Sequence, residues 1–301
     1  MSGARFGAVL TGFFPDSVRD AEVLRGAVGL SAEAGFDCVE FYYDGPENRA
    51  VAAALRGSGL SSVYHPAYPM KKAAVDLGAA GRVERLAAVG KVKVWVERAA
   101  EFGCEAVMLL SGGEVEDEEA RADAIGRLEE SLKAVCQFAA SFSPPIEVRL
   151  ESFNNRGEPR LLMGPSLRCR ALAEAVRASR GNFGLTFDLS HSLQMGENPA
   201  QSVSLLSDCC SHVHLANCVI RDKSDPLFGD KHPPFGRAGG EVDEAYLADF
   251  IRALGAIGFF DRSGKSAILS LEVITGPRDQ PAETLAKAKE ALDRAWLRAG
   301  R

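Results

Sequence analysis

The residues of this sequence that could do chemistry are acidic and histidine side chains placed within or beside apolar segments. Asp188 and His191 lie near the end of the apolar run 183–189, and Glu272 stands inside the apolar segment 268–274. An Asp in such a place often only caps the next helix. A charged side chain within a buried strand, however, is costly unless it is paired or bound to a metal. These positions therefore indicate either buried ion pairs or a functional site.

The same pattern recurs along the second half of the chain. Glu151, Asp188, His214 and Glu272 fall at four successive apolar segments, and together they would supply three carboxylate oxygens and one imidazole nitrogen. This donor set suits Mn²⁺, Mg²⁺, Co²⁺ or Zn²⁺ better than a soft metal that prefers thiolates. The sequence therefore predicts one divalent metal ion, if these segments meet in space.

Alternating strands and helices would bring them together. Eight short apolar runs, several of them continuous rather than alternating, are typical of parallel strands covered by helices. The predicted strands are 6–12, 37–43, 61–66, 105–111, 146–152, 183–190, 212–218 and 267–273. The predicted helices are 17–35, 83–103, 116–141, 164–179, 243–258 and 279–300.

An eight-fold strand–helix alternation predicts an α/β fold, a (β/α)8 TIM barrel that forms a single domain over residues 1–301. An open doubly wound sheet is the alternative, but no glycine-rich dinucleotide turn follows the first strand. In barrels of this kind the active site forms at the carboxyl ends of the strands. His65, Glu151, Asp188, His191, His214, Asn217 and Glu272 would then converge on one face.

The segment 218–243 after the seventh strand is long and rich in Gly and Pro. Long loops on an active face commonly act as lids or binding loops. Arg221, Asp230 and His232 are its candidate ligand contacts. Each of them could also be an ordinary solvated charge, although His232 stands directly before two prolines.

Composition narrows the class of protein. The 301 residues are 46% hydrophobic and 25% charged with a net charge of −6, and no basic cluster interleaves with aromatic residues. Nucleic acid and anionic membranes are therefore poor partners. No apolar run is long enough for a membrane span. Seven scattered cysteines without a C-x-x-C pair indicate a reducing, cytoplasmic setting.

The chain resembles the xylose-isomerase-like TIM barrels, a family that includes tagatose 3-epimerase, hydroxypyruvate isomerase, inosose dehydratase and AP endonucleases of the endonuclease IV type. The resemblance spans essentially the whole chain. It rests on the motifs E-S-F-N at 151–154, F-D-L-S-H at 187–191, H-V-H-L-A-N at 212–217, G-D-K-H-P-P-F-G at 229–236 and S-L-E-V at 270–273.

This resemblance implies a metal-dependent isomerase or epimerase of keto-sugars or cyclitols. Glu151, Asp188, His214 and Glu272 would bind one divalent metal, and the two glutamates would transfer protons through an enediolate. His65, His191, Asn217, Arg221 and His232 would contact a small sugar-like substrate. Members of this family often pair, which leaves a homodimer or a homotetramer open.

Three alternatives stay open. A lyase or dehydratase that acts on a keto-sugar, inosose or oxo-glycoside would share the first proton abstraction. A nuclease resembling the AP endonucleases would use eight matching ligand positions, but Ser111 stands where that branch has a histidine. A non-catalytic sugar-binding barrel would keep the pocket alone. Asn217, where an acid often follows in the family, and the long loop depart from a simple ketose epimerase.

Overall fold

Eight parallel strands form a closed barrel in a computed structural model, which describes residues 3–261 and 267–301. Each strand pairs with its neighbours in chain order, and β8 returns to β1. The strands are β1 Ala4–Val9, β2 Cys38–Phe41, β3 Ser61–Tyr64, β4 Ala106–Leu109, β5 Glu147–Ser152, β6 Phe183–Asp188, β7 Cys210–Leu215 and β8 Ala267–Leu271. The predicted (β/α)8 barrel is confirmed.

Helices follow every strand. They are α1 Leu10–Phe13, α2 Ala21–Glu33, α3 Asn48–Ser58, α4 Ala67–Lys72, α5 Arg82–Phe102, α6 Glu118–Ala139, α7 Ser166–Arg177, α8 Leu189–Met195, α9 Pro199–Leu205, α10 Glu244–Ala256 and α11 Pro281–Arg298. The sequence analysis did not predict α3, because its buried face carries only Val51, Ala52 and Leu55, which is a weak periodic signal. The short helices α1, α4, α8 and α9 were also not predicted.

Caps and glycines set the ends of the longer helices. The side chains of Asp20, Asp117 and Asp243 accept hydrogen bonds from backbone N–H groups in the first turns of α2, α6 and α10. Gly103 ends α5 with a φ of 78°, in the left-handed region that glycine adopts at little cost. The starts of α6 and α10 lie within two residues of the predicted ones, whereas α2 begins four residues after the predicted start at 17.

Residues two apart along a strand share a face, so each strand sends alternate side chains into the barrel. Glu151 follows Arg149 on β5, and His214 follows His212 on β7. The strand register places Asp188 opposite His214 and His214 opposite Ser270. A layer of polar side chains therefore forms near the carboxyl ends of β5 to β8.

Three site residues lie just beyond the strands in which they were predicted. β3 ends at Tyr64, β7 at Leu215 and β8 at Leu271, so His65, Asn217 and Glu272 begin the following loops. The ladder still fixes Glu272, since its backbone N–H donates to the Leu215 carbonyl at 3.0 Å. Among the described residues, no helix has the length and apolar character needed to cross a membrane.

Candidate active site

Four side chains from consecutive strand ends meet in one compact group. Glu151, Asp188, His214 and Glu272 each offer a ligand atom, and these four atoms lie within 4.8 Å of one another. His214 Nδ1 lies 2.8 Å from Glu272 Oε2, 3.5 Å from Glu151 Oε1 and 3.9 Å from Asp188 Oδ2. This group, the acid cluster below, is the set of residues that the sequence predicted as metal ligands.

Three polar atoms that face the centre of the acid cluster lack ordinary hydrogen-bond partners in the described part of the chain. Among the described residues, Asp188 Oδ2 forms no hydrogen bond. His214 Nδ1 lies close to Glu272 Oε2, but the angle of this contact is not that of a hydrogen bond. Buried carboxylates that face each other without compensation are costly. A divalent cation therefore fits this site, because three hard oxygens and one imidazole nitrogen face a common point.

The two carboxylate oxygens of Asp188 have different roles. Oδ1 accepts hydrogen bonds from the backbone N–H of His191 at 2.9 Å and from Ser190 Oγ at 2.7 Å, which caps α8. Oδ2 instead points into the acid cluster. Burial raises the pKa of Asp188, with opposing contributions from the nearby histidines. The helix-cap interpretation and the ligand interpretation of this residue are thus compatible.

A second group lies directly beside the acid cluster. His232 Nε2 contacts Asp230 Oδ1 at 2.8 Å, and His191 Nε2 lies 4.0 Å from the same oxygen and 3.7 Å from Glu151 Oε1. Lys71 Nζ donates to Asp230 Oδ2 at 3.4 Å. His232 has a φ of 37°, a backbone conformation that non-glycine residues rarely adopt and that is often found at functional sites.

Electrostatic shifts follow from this crowding of buried acids and histidines. Burial alone would raise the pKa of Glu272, but His232 and His214 hold it below its usual range. Burial alone would likewise lower the pKa of His232, yet Glu272 and Asp230 raise it to about 10. Burial lowers the pKa of His191. The second group is therefore an internal ion-pair network at the edge of the acid cluster.

Glu40 on β2 was not among the site residues predicted from the sequence. Its side chain is fully buried and contacts three of the five histidines of the chain, His65, His212 and His214. Burial would raise its pKa, but His212 and His214 lower it well below the usual value, so the carboxylate is charged. The signal was present, since Glu40 is a lone charge in the apolar segment 38–43, as Glu272 is in its own.

A cavity of about 970 Å³ lies beside the acid cluster and borders it at Glu272. Glu272, His65, Asp230 and His232 lie on its wall near the cluster, and Tyr42, Tyr68 and Trp95 line it elsewhere. Lys72 and Lys91 also line the cavity, each over the ring of an aromatic neighbour, Tyr68 and Trp95 respectively. Aromatic faces and lysine cations near a polar wall suit a hydroxylated ligand with an apolar or anionic portion.

Two predicted substrate contacts do not reach this cavity. The Arg221 side chain is 82% exposed and pairs with Glu241 at 2.6 Å. Asn217 is buried, but its amide donates to the Pro234 carbonyl and its oxygen accepts from the N–H groups of Cys218 and Val242. Its polar atoms thus hold the loop after β7. His65, His191 and His232, by contrast, come together around the acid cluster.

Comparison with known proteins places these findings in a family. The family model described as xylose isomerase-like TIM barrel matches residues 28–299. No curated protein matches the sequence.

Solved structures similar to this chain share its fold at low sequence identity. An L-ribulose 3-epimerase is 19% identical, with a TM-score of 0.73 over 99% of this chain and 97% of that one. The IOLI protein with a bound zinc atom is 16% identical, with a TM-score of 0.71 over 97% and 98%. An AP endonuclease of family 2 from Brucella melitensis is 23% identical, with a TM-score of 0.67 over 95% and 97%. The chain belongs to the xylose isomerase-like TIM barrel family.

Proposed function

We propose that this protein is a divalent-metal-dependent isomerase or epimerase of a keto-sugar or cyclitol. The observation that carries the proposal is the acid cluster, in which two glutamates from β5 and the end of β8 share one small space with Asp188 and His214. Glu272 of this cluster lines a cavity at the carboxyl ends of the strands, where barrel enzymes hold their reactive groups. The likeness to an L-ribulose 3-epimerase structure is consistent with this chemistry.

Glu151, Asp188, His214 and Glu272 are the residues that would hold the metal. When bound there, a divalent cation would stabilise the negative charge that develops on substrate oxygen during proton abstraction next to a carbonyl. The partnerless Asp188 Oδ2 supports the fit. Mn²⁺, Mg²⁺, Co²⁺ and Zn²⁺ all accept this donor set.

The chain's own residues would carry the proton. One of the two glutamates, Glu151 or Glu272, would remove the α-proton to give an enediolate, and the other would return a proton on the opposite face or at the next carbon. Glu272 lines the cavity with 16% of its side chain exposed. His65, His232 and Lys71 line the same wall and would bind substrate hydroxyls.

The test of the metal is elemental analysis of the purified protein, together with Asp188→Ala. We expect about one Mn, Co, Mg or Zn per chain, with loss of the metal in the variant. No metal after reconstitution with Co²⁺ would contradict the proposal.

The test of the proton transfer is the pair Glu151→Gln and Glu272→Gln, made separately. Each should lower turnover by roughly 10²- to 10⁴-fold, since each removes one acid–base group. Glu283→Gln, on the exposed face of α11, is the matched control and should leave turnover unchanged. Full activity in either site variant would rule out a two-base mechanism.

A lyase or dehydratase is the second candidate function, and the size of the cavity supports it. About 970 Å³ is near the upper end of ligand pockets, which leaves room for a leaving group or a glycosidic substituent. Turnover of keto-sugars in deuterated water separates the two, because an epimerase returns deuterium to carbon without loss of any substituent. Detection of an eliminated water or aglycone would identify a lyase.

The nuclease alternative makes a different prediction for metal content. Asp188, His191 and His232 can approach a common ion, so two or three Zn per chain would favour it. Ser111 instead uses its hydroxyl within the loop, where it accepts from the Met163 N–H at 3.1 Å. We therefore place nucleic acid outside the proposed partners. A barrel that binds sugar without turnover would show a single metal and no deuterium exchange.

A further inference from the structure

The Glu40 carboxylate contacts His214 on the side opposite the acid cluster. Oε1 is 2.9 Å from His212 Nε2, and Oε2 is 3.2 Å from His214 Nε2 and 3.4 Å from His65 Nδ1. No Lys or Arg pairs with it among the described residues. Histidine N–H groups are therefore the donors that compensate this fully buried charge.

Arg149 determines which ring nitrogen of His212 carries the proton. Arg149 Nη1 lies 2.9 Å from His212 Nδ1, and a guanidinium can only donate. His212 Nδ1 must then accept, so its proton is on Nε2. That nitrogen faces Glu40 Oε1 and, at 3.0 Å, the Ser270 hydroxyl. The Nε2–H of His212 therefore donates to Ser270 Oγ, and Glu40 Oε1, 2.9 Å from Nε2, accepts no hydrogen bond among the described residues.

The other oxygen decides the state of His214. Glu40 Oε2 accepts the Nε2–H of His214, so the opposite nitrogen, Nδ1, is the one that can present a lone pair. Nδ1 is the atom turned toward Glu151, Asp188 and Glu272. A neutral imidazole with its proton on Nδ1 would be unable to bind a cation in the acid cluster.

We propose that Glu40 is a positioning residue that holds the proton of His214 on Nε2 and so presents Nδ1 to the metal. The inference rests on the metal site put forward above, and it deepens that site by a residue that does not itself touch the ion. Partners of this kind typically change metal affinity by roughly 10- to 100-fold when removed.

Glu40→Gln tests the proposal sharply, because an amide has only one acceptor oxygen and one donor nitrogen. His212 Nε2 carries a proton and lies 2.9 Å from the Oε1 position, so an NH₂ group there would oppose it. The amide oxygen should therefore stay on that side, which turns the NH₂ group toward His214 Nε2 and favours the proton on Nδ1. We expect Co²⁺, measured by competition with a chelator, to bind roughly 10- to 100-fold more weakly than to the wild type.

Glu105→Gln is the matched control. Glu105 lies at the amino-terminal end of the barrel and pairs with Arg5 and Arg149. Among the described residues, no histidine contacts it. Its replacement should leave the Co²⁺ affinity within about twofold while lowering stability. A loss of affinity equal to that of Glu40→Gln would show that any weakened barrel loses metal, and would overturn the proposal.

A second measurement uses the wild type, so that the proposal can be contradicted even where the variant fails to fold. In ¹⁵N-histidine-labelled, Zn²⁺-loaded protein, the five histidines are few enough to assign, and His214 should show a protonated Nε2 with Nδ1 bound to zinc. A protonated Nδ1 would overturn the role of Glu40. Metal binding with this signature but without turnover would contradict the proposed function alone, and failure of the wild type to bind Co²⁺ or Zn²⁺ would contradict both.

Discussion

Asp188 shows how one side chain can serve a helix and a site at once. Asp188→Asn retains an oxygen that can cap α8 but removes the charge of the second oxygen, whereas Asp188→Ala removes both. We expect both variants to lose Co²⁺ binding. Metal-free Asp188→Ala should be less stable than metal-free Asp188→Asn by about 1 kcal/mol, the usual worth of an N-cap.

Urea unfolding of the metal-free variants, with Co²⁺ titration of the same samples, measures the two contributions separately. Equal stability of the two metal-free variants would mean that the cap contributes nothing here. Retention of Co²⁺ affinity by Asp188→Asn would remove Asp188 from the predicted ligand set.

At the residue scale, the four residues of the acid cluster were predicted from the sequence, but Glu40, which contacts His214 from behind, was not. Glu151, Asp188, His214 and Glu272 were recognisable because each is a polar residue at the carboxyl end of a strand, where a barrel brings such ends together. Glu40 was not, because its partners His212 and His214 are more than 170 positions away in the chain and no local spacing connects them. Its lone charge in an apolar strand was the available signal.

At the scale of elements, the loop 216–243 depends on Asn217. This side chain makes three hydrogen bonds that join the two ends of the loop to Pro234. Asn217→Ala leaves the buried N–H of Val242 without this partner, which costs on the order of 1 to 3 kcal/mol for such a group. We expect faster tryptic cleavage at the exposed Lys231 and a lower urea midpoint.

Arg221→Ala is the comparison in the same loop. Its exposed ion pair with Glu241 is worth about 0 to 1 kcal/mol, so stability and proteolysis should change little. Since Arg221 does not line the cavity, KM should also stay near the wild-type value. A severalfold rise in KM would restore the substrate-binding role that the sequence predicted for Arg221.

The sequence predicted the existence and order of the strands more accurately than the residues at which they end. All eight strands were predicted, since continuous apolar runs separated by helix-length segments leave few other folds. The predicted strands that hold His65, Asn217 and Glu272 ran two or three residues too far, because side-chain polarity does not mark where ladder hydrogen bonds stop. Short helices such as α8 and α9 were missed, because seven residues give too few turns for a periodic pattern.

At the scale of the whole molecule, the cysteines report on the integrity of the barrel. All seven are buried, and burial raises the pKa of Cys38 and of Cys104 to about 12. A thiolate is the reactive form, so a native chain should react with less than one equivalent of a thiol reagent at neutral pH. All seven should react in guanidinium chloride. Rapid labelling of native protein would show that part of the barrel opens easily.

The two ends of the barrel carry different charge networks, and the amino-terminal one links stability to pH. There Glu105 accepts hydrogen bonds from Arg5 at 2.7 and 2.9 Å and from Arg149 at 3.2 Å. Burial would raise the pKa of Glu105, but the two arginines lower it below its ordinary value of 4.5. A carboxyl whose folded pKa is depressed stabilises the protein above its unfolded pKa, and this contribution disappears as pH falls through the folded pKa.

Glu105→Gln should therefore cost about 2 kcal/mol near neutral pH, a typical worth of charge-assisted hydrogen bonds. The difference in unfolding free energy between wild type and variant should shrink as pH falls below the ordinary value of 4.5, because the wild type alone takes up a proton there. Urea unfolding at a series of pH values measures this difference. Glu283→Gln breaks only an exposed pair with Lys287 and should give a small difference at every pH. A Glu105→Gln difference that does not vary with pH would mean that Arg5 and Arg149 stabilise this end of the barrel by packing, with their charges contributing little.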